Sequence, residues 1–202
     1  MAGLLMLPMR RIKVNIALLS LQALFLSIIA FSEGLGSAFE WHSVAIGLLT
    51  LLVKVIALPL ILLRLVNSLQ ADQEKDMSAG PIVSMTIGLL IVGLTFGYIV
   101  PVLLQDIRVG HDLLGAAVAT ILFGCFFVVS RRCVLHQVLG IVVMENGLFL
   151  SALAITGGMP IMIELGIFFD VLVGVLVMGA IIYKISDSFK SLDIKRLNRL
   201  RG

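Results

Sequence analysis

Four ionisable side chains stand where a sequence this apolar can least afford charge. Glu145 lies midway along the apolar run 134–157, and Asp170 near the middle of the next run, 161–184. Lys54 sits near the centre of an earlier run, 43–66, and Glu164 near the outer end of the run that carries Asp170. Runs of about 20 apolar residues, at about 1.5 Å per residue, span a bilayer core. An ionised group at that depth costs several kcal/mol or more, so acids and lysines there usually mark an ion or proton path. Low-dielectric surroundings disfavour the charged form, and a carboxyl held near the balance between its two forms can take and release protons. The competing chemistry is structural: neutral or hydrogen-bonded carboxyls that tie helices together, and a lysine that snorkels along its own stem to the interface. Glu164 reads equally as a residue at the mouth of such a path or as a cap.

The positions around these groups leave room. Gly166 and Gly174 flank Asp170 at four residues either side, so the acid is framed by residues without side chains. Glu145 is bracketed by Ile141, Leu148, Phe149 and Ala152, with Asn146 following it. On an α-helix Gly47, Thr50, Lys54 and Ala57 would share one face. Pro59 lacks an N–H, so it leaves the carbonyl of Val55 without its helical partner. A loosened backbone beside a midplane lysine suits a polar or hydrated pocket.

The elements that must position these residues are transmembrane helices. With 60% hydrophobic and 13% charged residues in 202, the chain is no ordinary soluble domain and has no room for a soluble catalytic one. It is expected to be an all-α, polytopic membrane protein of about six helices, at roughly 14–32, 43–66, 82–104, 112–130, 134–157 and 161–184. Met1–Met9 is apolar but too short to cross, and Arg10, Arg11 and Lys13 follow it, the reverse of a secretory signal's order. Pro81 is placed to start the third helix, and Gly88, Gly93 and Gly97 would permit close packing there.

Basic residues set the orientation. Thirteen of the 15 fall on one side: the Arg10–Lys13 cluster, Arg64 and Lys75, Arg131 and Arg132, and six in the tail from Lys184 onward. Arg108 alone lies opposite, and Lys54 lies within a crossing. The positive-inside rule then puts both termini in the cytoplasm. The polar loop 67–80 is cytoplasmic on this reading. The tail SDSFKSLDIKRLNRLRG has a helix-like pattern suited to an anionic leaflet or a soluble partner. A net charge of +3 distributed in this way says nothing of nucleic acid.

Redox chemistry is not expected in the chain itself. An iron–sulfur cluster needs about four thiolates, and there are two cysteines, Cys125 and Cys133. His42, His111 and His136 lie at run ends and form no pair on one helix face, which gives no haem or zinc set. No cofactor or metal is therefore assigned to this chain.

The stretch GIVVMENGLFLSALAITGGMPIMIELGIFFDVLVGVLVMGAIIYKI, and less distinctively LLVKVIALPLILLRL, resemble the hydrogenase-4 component E family. The match is most specific over about 140–185. That resemblance implies a membrane subunit of formate hydrogenlyase-type, group 4 nickel–iron hydrogenase complexes. The last three crossings look like the K-type subunit of complex I and the C-type subunit of multisubunit cation/proton antiporters. In the complex I relatives two membrane glutamates contribute to the axis along which protons move. The resemblance carries that role onto Glu145 and, with one methylene fewer, onto Asp170. It further implies antiporter-like membrane partners and soluble redox partners that hold the nickel–iron centre and iron–sulfur clusters.

The expected organisation is a stub and basic segment (1–13), three helices (14–104), a K-like three-helix unit (112–184) and a basic cytoplasmic tail (185–202). Family members carry a full helix before the basic cluster, so the sequence as given is expected to be truncated or assigned late at its start. A preceding helix would put the N-terminus outside and leave the remaining topology unchanged. The expected function is non-catalytic: a subunit in the inner membrane that helps couple electron transfer to proton movement. The rivals are a stand-alone or antiporter-complex transport subunit and a purely structural scaffold. No internal repeat is visible, which argues against a transporter built from repeats.

Overall fold

Apolar runs in a bilayer must satisfy every backbone N–H and C=O internally, which leaves the helix as the solution for this sequence. A computed structural model describes residues 2–34, 48, 51–69, 80–103, 111–156 and 174. All regular elements among the described residues are helical: α1 (Ala2–Met6), α2 (Ile12–Gly34), the π-helical π1 (Leu51–Ala57), α3 (Leu58–Leu69), α4 (Pro81–Leu94), the π-helical π2 (Thr95–Ile99), α5 (Val100–Leu103), α6 (His111–Ser130) and α7 (Val134–Thr156). Four spans are long and apolar enough to cross a membrane: Ile12–Ser32, Pro81–Val102, Asp112–Ser130 and Val134–Ile155. They coincide with the expected first, third, fourth and fifth crossings. Of the expected second crossing, 43–66, the part from Leu51 on is described and forms π1 continued by α3, while 43–50 lie outside the described residues apart from Leu48. The expected sixth, with Glu164 and Asp170, lies outside the described residues apart from Gly174, as do loop 70–79 and tail 185–202.

The α6–α7 hairpin is the centre of the bundle. Three residues, 131–133, join the helices, and glycines let their backbones approach closely, as small residues do in membranes where apolar burial gives no drive. A Cβ on Gly124 would meet the backbone N of Met144 at 2.6 Å and the carbonyl of Gly140 at 2.7 Å, and one on Gly147 would meet the backbone N of Ile121 at 2.8 Å. The hairpin is closed by Gln137, whose Nε2 donates to the Arg131 carbonyl at 2.9 Å. α7 is the most enclosed span, 61% buried, against 17% for Pro81–Val102. Around it, Leu19 of α2, Leu62 and Val66 of α3, Phe123 and Phe127 of α6, and Leu139 and Val142 of α7 form one core.

Four short polar side chains inside these helices are satisfied locally. Ser20, Thr86, Thr120 and Ser151 each donate to the carbonyl four residues back. Pro81 opens α4 at its first turn, with Gly80 as the N-cap. The three glycines of that crossing behave differently from one another. A Cβ on Gly88 would clash with Leu4 and Leu7 of the N-terminal segment, whereas Gly93 and Gly97 have nothing within 4 Å of theirs. Of the three, Gly88 alone shows the expected close packing.

Candidate functional site

Each π turn lies just upstream of a proline, π1 before Pro59 and π2 before Pro101. Proline supplies no N–H and its ring crowds the preceding turn, and a one-residue widening into π geometry accommodates both effects. In π1 the widening re-aims Lys54. An α-helix would bury Lys54 and Ala57 together. Here Lys54 and Pro59 are buried while Ala57 is exposed, so the small-residue face expected around Lys54 is redrawn by the π register. Gly47 and Thr50 of that face lie outside the described residues.

Lys54 does not snorkel. It is 4% exposed and its Nζ donates to Glu145 Oε1 at 2.5 Å, with Glu145 itself 3% exposed. Nζ is also 3.5 Å from Asn146 Oδ1 and 5.6 Å from the centroid of the Phe149 ring. A desolvated ammonium over an aromatic face is worth about 2 kcal/mol. The lysine is thus enclosed by an acid, an amide and a ring, all from little more than one turn of α7.

The depths agree. Glu145 is eleven residues into α7, so about 16 Å from that helix's first residue and near its midpoint. An ammonium and a carboxylate bonded at this depth form a net-neutral unit, which is how a membrane interior tolerates both. Transfer of the Nζ proton to Oε1 converts the ion pair into amine and acid without changing net charge. Gain of one proton then leaves an ammonium beside an acid, and loss of one leaves an amine beside a carboxylate.

Of the four residues singled out by sequence, the structure brings Lys54 and Glu145 together. Asp170 and Glu164 lie outside the described residues. Asn146 and Phe149 complete the lysine's surroundings, and the amide is legible in sequence only as a polar residue inside an apolar run. Among the described residues no three of His, Cys, Asp and Glu gather as metal ligands would.

A second polar cluster marks one end of the bundle. Buried Arg131 donates from Nη2 to the carbonyls of Leu7, at 2.5 Å, and Met9, at 3.1 Å, and its guanidinium lies 4.7 Å from the Phe127 ring. His136, also buried, meets Phe127 edge-on at 5.8 Å. Asn15 Nδ2 donates to the Met9 carbonyl as well. This clamp holds the segment beside Arg10 and Arg11 against Arg131 and Arg132, so two of the basic segments lie at the same end.

Apolar helices long enough to cross a bilayer, packed around one buried lysine–glutamate pair, define a multi-pass, all-α membrane protein. Residues 113–202 match the family described as NADH-ubiquinone/plastoquinone oxidoreductase chain 4L. The chain is 29% identical to hydrogenase-4 component E of Escherichia coli K12 over 151 residues, 75% of this chain and 70% of that protein. The same figures hold for hydrogenase-4 component E of Shigella flexneri. Over 205 residues, covering 100% of this chain and 91% of the relative, it is 29% identical to an uncharacterized protein of Mycobacterium tuberculosis. No solved structure matches. The chain is thus similar to hydrogenase-4 component E over three quarters of its length, and residues 113–202 are similar to the chain 4L family. Glu145 lies inside the part that matches the chain 4L family and Lys54 before it, so the ion pair joins the two.

Proposed function

We propose that this chain is a non-catalytic membrane subunit of a hydrogenase-4-like redox complex, and that its intramembrane ionisable groups form part of a proton path coupled to electron transfer. The observation that carries this reading is the buried Lys54–Glu145 pair. It is the arrangement a relay needs: two titratable groups at bilayer mid-depth, in contact, in a net-neutral unit whose gain or loss of one proton is chemically simple. Asp170, on the next apolar run, is the next station, and Glu164 the mouth on the outer side. The nickel–iron centre and iron–sulfur clusters belong to partner subunits, among them antiporter-like membrane proteins and soluble redox proteins. The complex sits in the cytoplasmic membrane with the C-terminus of this chain in the cytoplasm.

The same pair also suits a structural scaffold, since each group satisfies the other and ties π1 to α7. The two readings part on one substitution. Glu145→Gln keeps size and a hydrogen-bond acceptor for Lys54 but removes the titratable proton. With the complex reconstituted in vesicles and internal pH followed during turnover, the relay reading expects assembly with full subunit content and loss of proton movement. Unchanged proton movement in a fully assembled Glu145→Gln complex overturns it and leaves the scaffold.

A further inference from the structure

Two neutral amides, one on α7 beside the ion pair and one on α2, which packs against both elements of the pair, each have one buried polar atom without a partner among the described residues. Asn146 Oδ1 accepts from Lys54 Nζ, but Asn146 Nδ2, a donor of two N–H groups, is buried and has no partner among the described residues. The Oε1 of Gln22, on α2, is a buried acceptor and likewise has none. An orphaned polar group in a low-dielectric interior forfeits the full cost of its lost hydration, so each calls for a partner. One is a donor and the other an acceptor.

The packing register puts them at one level. Leu26, one turn beyond Gln22, shares a cluster with Leu150 of α7, against which Phe149 packs. Leu19, one turn before it, belongs to the core that holds Leu139 and Val142 of α7. Gln22 falls between these two, as Glu145 and Asn146 fall between Val142 and Phe149 on α7. The depths concur: Gln22 is ten residues into α2 and Asn146 twelve into α7, about 15 and 18 Å from the helix starts. Helix α2 packs on both α7 and π1, the two elements that carry the pair. The two amides are not bonded to each other. A single group serving both would accept from one and donate to the other, and water does both at little cost.

We infer that Gln22 and Asn146 together hold an internal water beside the Lys54–Glu145 pair. The water accepts from Asn146 Nδ2, donates to Gln22 Oε1 and has a second proton to offer the pair. Gln22 and Asn146 are positioning residues: they do not titrate, but they fix the molecule through which a proton reaches or leaves Glu145. The role in proton transfer rests on the relay reading, whereas the water site itself does not.

Infrared difference spectra between ordinary and oxygen-18 water, recorded at one pH on the full chain purified with its partners, read the site directly. The expected result is an O–H stretching band that shifts with the isotope in the wild type and is lost in both Gln22→Met and Asn146→Leu. Proton movement in the vesicle assay should slow roughly tenfold in each variant, about the worth of one buried hydrogen bond. A wild type with no isotope-sensitive band, or a band unchanged in both variants, overturns the inference. Should Asn146→Leu fail to assemble, Gln22→Met, which keeps the side chain's length, decides it alone: a retained band counts against. An unchanged Glu145→Gln vesicle assay sinks the relay reading without touching the infrared band, so the two failures are distinguishable.

Discussion

Lys54 and Glu145 are 91 residues apart in sequence and bonded at 2.5 Å at the centre of the bundle. Removing one partner of a buried pair leaves the other charge uncompensated, at a cost of roughly 3–5 kcal/mol, whereas replacing both by apolar groups of similar volume is often close to neutral. Lys54→Met alone is therefore expected to lower stability strongly, and Lys54→Met combined with Glu145→Leu to recover much of the loss. Unfolding of both single variants and the double variant by graded denaturant in micelles measures this. Additive losses in the double variant would show that the two residues do not form one unit.

The α6–α7 contact makes a second expectation. Any side chain at Gly124 meets backbone, Met144 N and Gly140 O, in addition to a side chain that could move aside. Overpacking of this kind costs about 1–3 kcal/mol, and it would also displace Glu145, which α7 carries. Gly124→Val should lower the thermal midpoint of the purified chain and impair coupled proton movement. Gly93→Ala and Gly97→Ala, with open space at the Cβ, should leave the midpoint within the range of ordinary surface changes. Equal effects at all three glycines would contradict the packing.

Crossings and contacts differ in how legible they are. Helices that cross a bilayer announce themselves by apolar length, so Ile12–Ser32, Asp112–Ser130 and Val134–Ile155 can be placed from the sequence. Glu145 is visible because an acid amid such a run is costly. Its pairing with Lys54 is not, because no local periodicity reports a contact across 91 residues. The face of Lys54 is misplaced by periodicity for a definite reason. A 3.6-residue period puts Ala57 beside it, but the π turn ahead of Pro59 lengthens the period and buries Pro59 instead. Glycines in the third crossing say too little by themselves, since close approach depends on which neighbour arrives, and of those three only Gly88 has one. Gln22 and Asn146 carry no alarm, because a neutral amide in an apolar run costs less than a charge. Spacing alone does not place two amides on different helices at one level.

The Arg131 clamp bears on topology and on the N-terminal segment. Its guanidinium accounts for two carbonyls, Leu7 and Met9, that lie beyond the end of α1 and outside its helical bonding. Arg131→Met should release residues 2–9, seen as faster hydrogen exchange there with α6–α7 still protected. Because the clamp joins two basic segments at one end, single cysteines introduced at 78 and at 188 should label from the cytoplasmic face only. Labelling from outside intact cells would reverse the orientation.

Pro59→Ala tests how the lysine is aimed. Alanine restores the missing N–H and removes the ring, so the reasons for π geometry at Leu51–Ala57 disappear. The turn should relax to α, shifting the residues before it by about one residue in register, or roughly 100° about the helix axis. Lys54 would then leave Glu145 and turn from the bundle interior, although neither residue of the pair has been altered. The expected signature is separation of helix content from function: unchanged far-ultraviolet circular dichroism, intact insertion, and loss of coupled proton movement comparable to that of Lys54→Met. A π turn absorbs one residue more than an α turn, which dictates the suppressor. Deleting Ile56, which is exposed, in the Pro59→Ala background removes that extra residue. The lysine should return towards its original face, with part of the activity recovered. Inserting an alanine at the same place turns it further away and should not rescue. Full activity in Pro59→Ala without any deletion would mean that the π turn is not what positions Lys54.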